Sequence, residues 1–275
     1  MTAVGCIIAR NASRRLPGKA LRHVGDLTLI QYLMRKLKKS TQLEKIYLCT
    51  TTAIEDAELV RVATEEGILV FRGDRDSVIS RMLAVGELER ADTLVRITGD
   101  NVFTDEVYLD LMLQKHHENG AEYTRVEELP LGVTAEAINR KALIKCDRMM
   151  PSKFSQYLML YMFQPNDFDC QVLIPPVEHR KSEWSLTVDT QNDLERTKRI
   201  VEGASDLLSY SDILEICTKK NIPHLIASKG GDIRLPAGLC MGYDVLRMEI
   251  KRRMAKCRCI PVGLAEYNSM RYGGK

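Results

Sequence analysis

Three short segments concentrate the residue types that bind phosphate and metal. The first is Ala9-Arg10-Asn11-Ala12-Ser13-Arg14-Arg15-Leu16-Pro17-Gly18-Lys19, which follows an apolar run. Guanidinium forks match phosphate oxygens and a lysine ammonium adds a point charge, so Arg10, Ser13, Arg14, Arg15 and Lys19 suit a triphosphate. Pro17-Gly18 would turn the chain so that Lys19 points back at the same ligand. The segment is neither a Walker-type phosphate loop nor a GxGxxG dinucleotide loop, which sets aside a P-loop ATPase and a dinucleotide dehydrogenase. By charge alone it would equally serve as a solvated basic loop.

The second segment, Val95-Arg96-Ile97-Thr98-Gly99-Asp100, is an apolar run ending on a carboxylate. Such a carboxylate can hold Mg²⁺ beside phosphates, and Gly99 lets the backbone approach a ligand closely. An Asx turn closing a strand is the structural alternative. The third, Ser185-Leu186-Thr187-Val188-Asp189-Thr190-Gln191-Asn192-Asp193-Leu194, repeats the pattern with Asp189. Asp193 reads as the start of a helix, where a carboxylate complements the dipole, and Asp189 by itself is open to the same reading.

The elements that must position these segments follow from hydrophobic periodicity. Strands are expected at residues 4–9, 45–50, 68–71 and 93–97, and helices at 29–38, 56–67, 77–89 and 105–119. Strands alternating with helices of this length imply crossover units and a mainly parallel sheet, with ligands bound beyond the carboxyl ends of its strands. Past residue 120 the pattern loosens. Residues 123–136 read as strand and loop, 140–149 and 153–163 as helices, 170–177 as a strand ended by Pro175-Pro176, and 186–188 as a short strand. Helices at 192–201 and 211–220 follow, then a basic helix-like stretch at 245–256.

Composition bounds the function. The chain has 275 residues, with 40 Lys plus Arg against 37 Asp plus Glu. That balance argues against a protein held by nucleic acid, and 6% aromatics argues against base-stacking platforms. No uninterrupted apolar run is long enough for a transmembrane helix, and the first residues lack the basic and apolar regions of a secretory signal, so a cytoplasmic protein without membrane contact is expected. The eight Cys are dispersed and read as free structural thiols, because Cys257-x-Cys259 has the wrong spacing for zinc or a CxxC pair. His116-His117 reads as a solvated pair, His179-Arg180-Lys181 as a surface loop, and Lys251, Arg252, Arg253, Lys256 and Arg258 as a solvated basic face. Met241, Met248 and Met254 read as packing residues.

Five ordered blocks carry a resemblance: residues 9–19; Phe71-Arg72-Gly73 with Val78; residues 95–100; Leu129-Pro130-Leu131-Gly132 with Glu136; and residues 186–194. Their order and content resemble the cytidylyltransferase superfamily that activates sugar acids, in particular its branch named for spore-coat polysaccharide synthesis protein F (SpsF-like), related to CMP-Kdo and CMP-sialate synthetases. The resemblance spans about residues 4–200. It implies a three-layer α/β domain with a nucleotide-diphospho-sugar transferase (GT-A-like, Rossmann-like) fold over residues 1–228, with a lobe at about 123–185 that faces the acceptor and helps make a homodimer. Residues 229–275 lie beyond the blocks, and their apolar residues, among them Leu235, Leu239, Val245, Ile250 and Ile260, are too many for a disordered tail, so an extension docked on the domain or on a second subunit is expected.

By position, it implies that Ala9, Arg10, Ser13, Arg15 and Lys19 meet the CTP phosphates. Arg72, Gly73, Thr98 and Gly99 would lie near the nucleotide, and Asp100 and Asp189 would ligate Mg²⁺. Lys19, Arg10 and Asp100 would be the catalytic set. The implied reaction transfers CMP from CTP to a sugar acid or other small anionic acceptor, with release of pyrophosphate, in surface polysaccharide biosynthesis. Two departures fall where an acceptor would be recognised. Asp100 is followed by Asn101-Val102 where the family often has Cys-Pro, and residues 153–157 lack the family's Glu-His-Val-Thr. A GT-A-type glycosyltransferase and a noncatalytic nucleotide-binding or assembly subunit are the alternatives, because fold does not fix chemistry.

Overall fold

The computed structural model describes residues 1–13, 15–150, 158–227, 232–234 and 240–273. β1 (Ala3–Ile8) is followed by a short hairpin, β2 (His23–Val24) and β3 (Leu27–Thr28), and by α1 (Leu29–Leu37). Next come β4 (Lys45–Thr51), α2 (Ala57–Glu65), β5 (Leu69–Gly73), α3 (Val78–Leu88) and β6 (Thr93–Thr98). The chain continues through α4 (Glu106–Asn119), β7 (Tyr123–Val126), β8 (Glu136–Asn139), α5 (Arg140–Met149) and α6 (Leu158–Met162) to β9 (Cys170–Ile174). Then follow α7 (Gln191–Val201), α8 (Tyr210–Lys219), the antiparallel pair β10 (Asp232–Arg234) and β11 (Cys240–Gly242), α9 (Tyr243–Met254), β12 (Arg258–Pro261) and α10 (Leu264–Tyr272).

Among the described residues, eight strands form one sheet in the order β12-β9-β7-β8-β6-β1-β4-β5. It is parallel except for β8, which runs antiparallel to both β6 and β7. Alternate residues of each strand face opposite sides. Ala3, Ile7 and Leu48 join a core with α1, α4, α8 and α10, while Val4, Cys6 and Tyr47 join a second core with α3, α5 and α6. The result is three layers, helices on both faces of a buried sheet, and that double burial is why β1 reads as an almost unbroken apolar run. β1 lies between β6 and β4, with Ile8 beside Thr98 on one flank and Cys49 on the other. The segments after β1 and after β6 therefore leave the sheet side by side.

Helix starts are chemically marked. Thr28 and Gln31 form a capping box on α1, Ser77 caps α3, and Asp105 caps α4, so each stripe begins where its free N–H groups find an acceptor. The lobe expected at 123–185 supplies β7, β8 and β9 to this same sheet, and β12, from the C-terminal stretch, hydrogen-bonds in parallel to β9. α10 packs on α4. Residues 151–157 of the helix expected at 153–163, and residues 229–231, 235–239 and 274–275 of the C-terminal stretch, lie outside the described residues.

Several expectations are corrected. Residues 186–188 form no strand. Leu186 N–H donates to Leu131 O at 2.7 Å and Val188 N–H to Asp100 O at 3.0 Å, so their apolar character reflects burial among loops rather than membership of the sheet. The strand expected at 170–177 stops at Ile174, and the chain turns through a single 3-10 turn at Val177–His179, because Pro175-Pro176 cannot donate to a ladder. His116 is not solvated: it is buried, with Nδ1 2.8 Å from Thr124 Oγ1, and burial pushes its pKa down to about 4. His179 is not on a surface loop either, being buried with Nδ1 2.6 Å from the Tyr108 hydroxyl. The basic run is partly absorbed. Arg253 donates to the carbonyls of Leu160 and Phe163, both at 2.9 Å, and so ties α9 to α6. The described cysteines Cys6, Cys49, Cys146, Cys170 and Cys217 are buried free thiols, and no described helix is long and apolar enough to cross a membrane.

Candidate functional site

The segment after β1 is held from below by a buried carboxylate. Asp56 accepts from Asn11 N–H at 2.7 Å, and from the Thr50 and Thr51 hydroxyls at 3.0 and 2.5 Å. Burial by itself would raise the Asp56 carboxyl, but the Asn11 N–H and the two hydroxyls outweigh it and hold it below the ordinary carboxylate value. Gly18 then takes a left-handed conformation, φ 65°, and opens the 3-10 turn Lys19–Leu21. This turn brings Lys19 back over the end of the sheet.

Lys19 Nζ donates to Asp100 Oδ2 and to Asp189 Oδ1, both at 2.8 Å. Arg15 Nη2 lies 2.9 Å from the other oxygen of Asp189. Burial by itself would lower the Lys19 pKa, but the two carboxylates override it and hold the ammonium above its ordinary value. Asp189 is fixed by its neighbours. Val188 is tied to Asp100 O, Asp193 accepts from Asp189 N–H at 3.1 Å and completes the Thr190 capping box of α7, and buried Arg196 donates to Thr187 O at 2.5 Å.

Two glycines make the close approaches possible. A Cβ on Gly99 would sit 2.7 Å from Ala9 Cβ, so only glycine lets the ends of β1 and β6 converge. Gly132 has φ +94°, and a Cβ there would lie 2.5 Å from Thr187 N. It seats the 129–132 block directly against the segment that leads to Asp189.

The converging ends enclose a cavity of about 290 Å³. From the β1 side it is lined by Ala9, Arg10, Ser13 and Lys19, and from the β6 side by Thr98, Gly99 and Asp100. Asp189 and Arg15 stand beside it through the Lys19 and Asp189 contacts. Arg72 and Gly73 do not line it. Arg72 instead donates to Thr51 O at 2.9 Å and Ala53 O at 2.8 Å, bracing the end of β4. Arg14 lies outside the described residues.

Four charged lining residues are absent from the site expected from the sequence: Arg75, Asp76, Arg81 and Arg96. Arg81 was detectable as a lone cation on the inward stripe of α3, among Val78, Ile79, Met82 and Val85. It is buried, which holds its pKa below the ordinary value, and its guanidinium reaches the carbonyls of Asp74 and Arg75. Arg96 interrupts an apolar strand. It donates to Glu136 at 2.6 Å, and the Tyr123 hydroxyl donates to the same carboxylate at 2.5 Å. Burial would raise Glu136, but Arg96 and Arg125 hold it low.

Asp100 and Asp189 meet on one ammonium, so their oxygens already converge on a single point. Among the described residues no group of three or more His, Cys, Asp or Glu could hold a metal ion. Mg²⁺ commonly takes one or two carboxylates and completes its shell with water and substrate phosphate oxygens. The pair fits an ion of that kind.

Comparison with known proteins shows the family and the fold. A family model described as cytidylyltransferase matches residues 4–216. The spore coat polysaccharide biosynthesis protein SpsF of Bacillus subtilis is 32% identical over 222 residues, covering 78% of this chain and 92% of that protein. A solved cytidylyltransferase from Leptospira borgpetersenii superposes with TM-score 0.77 at 27% identity, covering 83% of this chain and 100% of the other. A CMP:2-keto-3-deoxy-manno-octonic acid synthetase complexed with CTP shares the fold, with TM-score 0.59 at 15% identity over 74% of this chain and 99% of its own. The match runs from β1 into α8 and includes every segment that lines the cavity: the chain belongs to the cytidylyltransferase family.

Proposed function

We propose that this enzyme is a Mg²⁺-dependent cytidylyltransferase that transfers CMP from CTP to a sugar acid or another small anionic acceptor. The observation that carries the reading is the Lys19 ammonium, 2.8 Å from both Asp100 and Asp189 at the edge of a cavity that Arg10 and Ser13 also line. Cations and carboxylates packed this closely suit a ligand that brings both negative charge and a metal.

Arg10, Ser13 and Lys19 bind the triphosphate, with Arg15 reaching it from the rim. Ala9, Thr98 and Gly99 shape the floor, and Arg81 and Arg96 add cationic walls. Arg72 acts at one remove, by bracing the end of β4, with Gly73 next to it. Asp100 and Asp189 would hold the divalent ion, which would supply charge neutralisation to the phosphoryl oxygens. The acceptor hydroxyl gives up its proton to solvent as its oxygen attacks the α-phosphorus, the bond from that phosphorus to the α,β-bridging oxygen breaks, and pyrophosphate leaves with that electron pair. The protein performs no covalent step. It aligns the nucleophile with the leaving group and stabilises developing charge through fixed donors, chiefly Lys19 and Arg10.

Likeness to SpsF supports a role in making a surface polysaccharide. We place the enzyme in the cytoplasm, as a homodimer formed through the 123–185 lobe. A matrix of nucleoside triphosphates against acidic sugars, read by pyrophosphate release, tests the function. Release that requires CTP, an acidic acceptor and Mg²⁺, and stops on chelation, is the expected result. Turnover of a UDP-sugar, or nucleotide binding without turnover, would overturn it.

A further inference from the structure

We propose that Tyr267, on the C-terminal helix α10, is a positioning residue for Asp100 and Asp189, acting as a wedge between the roots of the two segments that carry them. The proposal rests on the reading of those carboxylates as the metal-binding pair. It concerns a residue outside the matched family region, which ends at residue 216.

Tyr267 is fully buried. Its hydroxyl lies 3.3 Å from both carboxylate oxygens of Asp105. Asp105 is five residues beyond Asp100, at the end of a tight turn in which Asn101 N–H donates to Thr98 O and Thr104 N–H to Asn101 O, both at 3.0 Å. On its other side the Tyr267 ring meets His179 edge-to-face, with centroids 4.7 Å apart and planes at 89°, and lies 4.8 Å from the Tyr108 ring. His179 is itself gripped. Its Nδ1 is 2.6 Å from the Tyr108 hydroxyl, and its carbonyl accepts from the Tyr210 hydroxyl at 2.7 Å.

The path from His179 to Asp189 has little slack. Lys181 N–H donates to Glu128 O at 3.0 Å, Trp184 N–H to Lys181 O at 2.9 Å, and the bonds of Leu186 and Val188 described above complete it. One side chain therefore touches the start of both routes, Asp105 through its hydroxyl and His179 through its ring, and the ring also packs on Tyr108, three residues beyond Asp105. α10 is anchored independently, by β12 in the sheet, by Lys115 to Glu266 at 3.3 Å and by Arg271 to Asp212 at 3.0 Å. Truncating the ring would open a void between two hydrogen-bonded segments, and close-packed interiors transmit such a change to their neighbours. The ring is the wedge and the hydroxyl is secondary, because Asp105 also accepts from the N–H groups of Tyr108 and Tyr210 at 3.0 and 2.9 Å.

The test uses full-length Tyr267→Ala, Tyr267→Phe and Asp189→Asn, well below the melting temperature of each. Two readouts are taken: hydrogen exchange of the metal-free protein, and the Mg²⁺ concentration giving half-maximal pyrophosphate release. Tyr267→Ala should raise that concentration by about fivefold while the rate at saturating Mg²⁺ stays within about threefold, the scale of coupling through packed side chains. Exchange should quicken by about tenfold at residues 98–105 and 179–189 and stay unchanged in β4, a local rather than global opening. Tyr267→Phe should restore both readouts to within about twofold. Should Tyr267→Ala not fold, Tyr267→Leu takes its place with the same readouts. Wild-type half-saturation, or exchange that quickens evenly across the sheet, would overturn the proposal. A Mg²⁺ dependence unchanged in Asp189→Asn would overturn the metal assignment itself, and the exchange readout then still decides whether Tyr267 holds the two segments.

Discussion

Asp100 and Asp105 stand five residues apart in one turn and are used in opposite ways. Asp100 keeps 28% of its side chain exposed and is paired with the Lys19 ammonium, whereas Asp105 is 1% exposed and saturated by two backbone N–H groups and a tyrosine hydroxyl. Burial pushes the Asp105 carboxyl above its ordinary range, and the cation of buried Lys36 only partly offsets this. A carboxylate that is to exchange partners needs water and a mobile counter-ion. One that fastens three helices needs fixed donors and no water. The difference lies in the partners that folding brings to each group.

The same substitution at both sites would break or sharpen that comparison. Asp100→Asn should cut pyrophosphate release by about a thousandfold, ~4 kcal/mol of transition-state stabilisation, because the metal charge would lose a ligand. Urea unfolding of this variant should stay within about 1 kcal/mol of wild type, as for a partly exposed ion pair. A variant with near-normal turnover would remove Asp100 from the chemistry.

The next largest effect belongs to the buried side, at the far end of α4. His116 is held neutral with a pKa of about 4, whereas the unfolded chain takes up that proton near pH 6.5. The unfolded state binds more protons between these values, so stability is present above about pH 6.5 and is lost as pH falls toward 4, by about 3 kcal/mol. Urea titrations from pH 7 to pH 4 should show this slope in the wild type and a shallower one in His116→Gln. Equal slopes would show that His116 does not report on burial.

Asp105→Asn should lower stability by about 2 kcal/mol, since the amide keeps one acceptor oxygen where the carboxylate had two and leaves a buried N–H unpaired. Activity per folded molecule at saturating Mg²⁺ should change by less than about threefold, the reverse of the Asp100 result. Lys19→Ala is the mildest of the four. Loss of a phosphate-binding cation should weaken turnover or triphosphate binding by at least about tenfold, ~1.4 kcal/mol. Unchanged kinetics in a folded Lys19→Ala would leave Asp100 and Asp189 without the partner that defines the exposed side of the comparison.

Legibility in the sequence divides along similar lines. The first half of the sheet was readable because β1, β4, β5 and β6 are separated by amphipathic helices, and each period reports a local burial pattern. Asp100 and Asp189 stand out because each ends an apolar run, and Lys19 because it closes a segment dense in Arg behind Pro17-Gly18. The antiparallel turn of β8, the seat of β12 beside β9, and the burial of His116 and His179 were not readable, because each depends on what a distant segment places opposite. His179 lies in a charged stretch that looks solvated until Tyr108, Tyr210 and Tyr267 close around it. Arg81 and Arg96 show the converse. Both were visible as cations in apolar surroundings, but nothing local showed that α3 and β6 aim them at one cavity.

By itself the sequence determined the alternation of strands and helices and the three charged segments. These are local properties, set by periodicity and by donors and acceptors within one turn. Only the tertiary structure decided that Lys19 stands between carboxylates 81 and 170 positions away, that Arg72 braces a strand instead of lining the cavity, and that a tyrosine beyond the matched family region enters the central core. The reason is that a charge or a ring has no fixed role until its neighbours set its solvent access, and those neighbours arrive from segments whose spacing along the chain carries no record of their meeting.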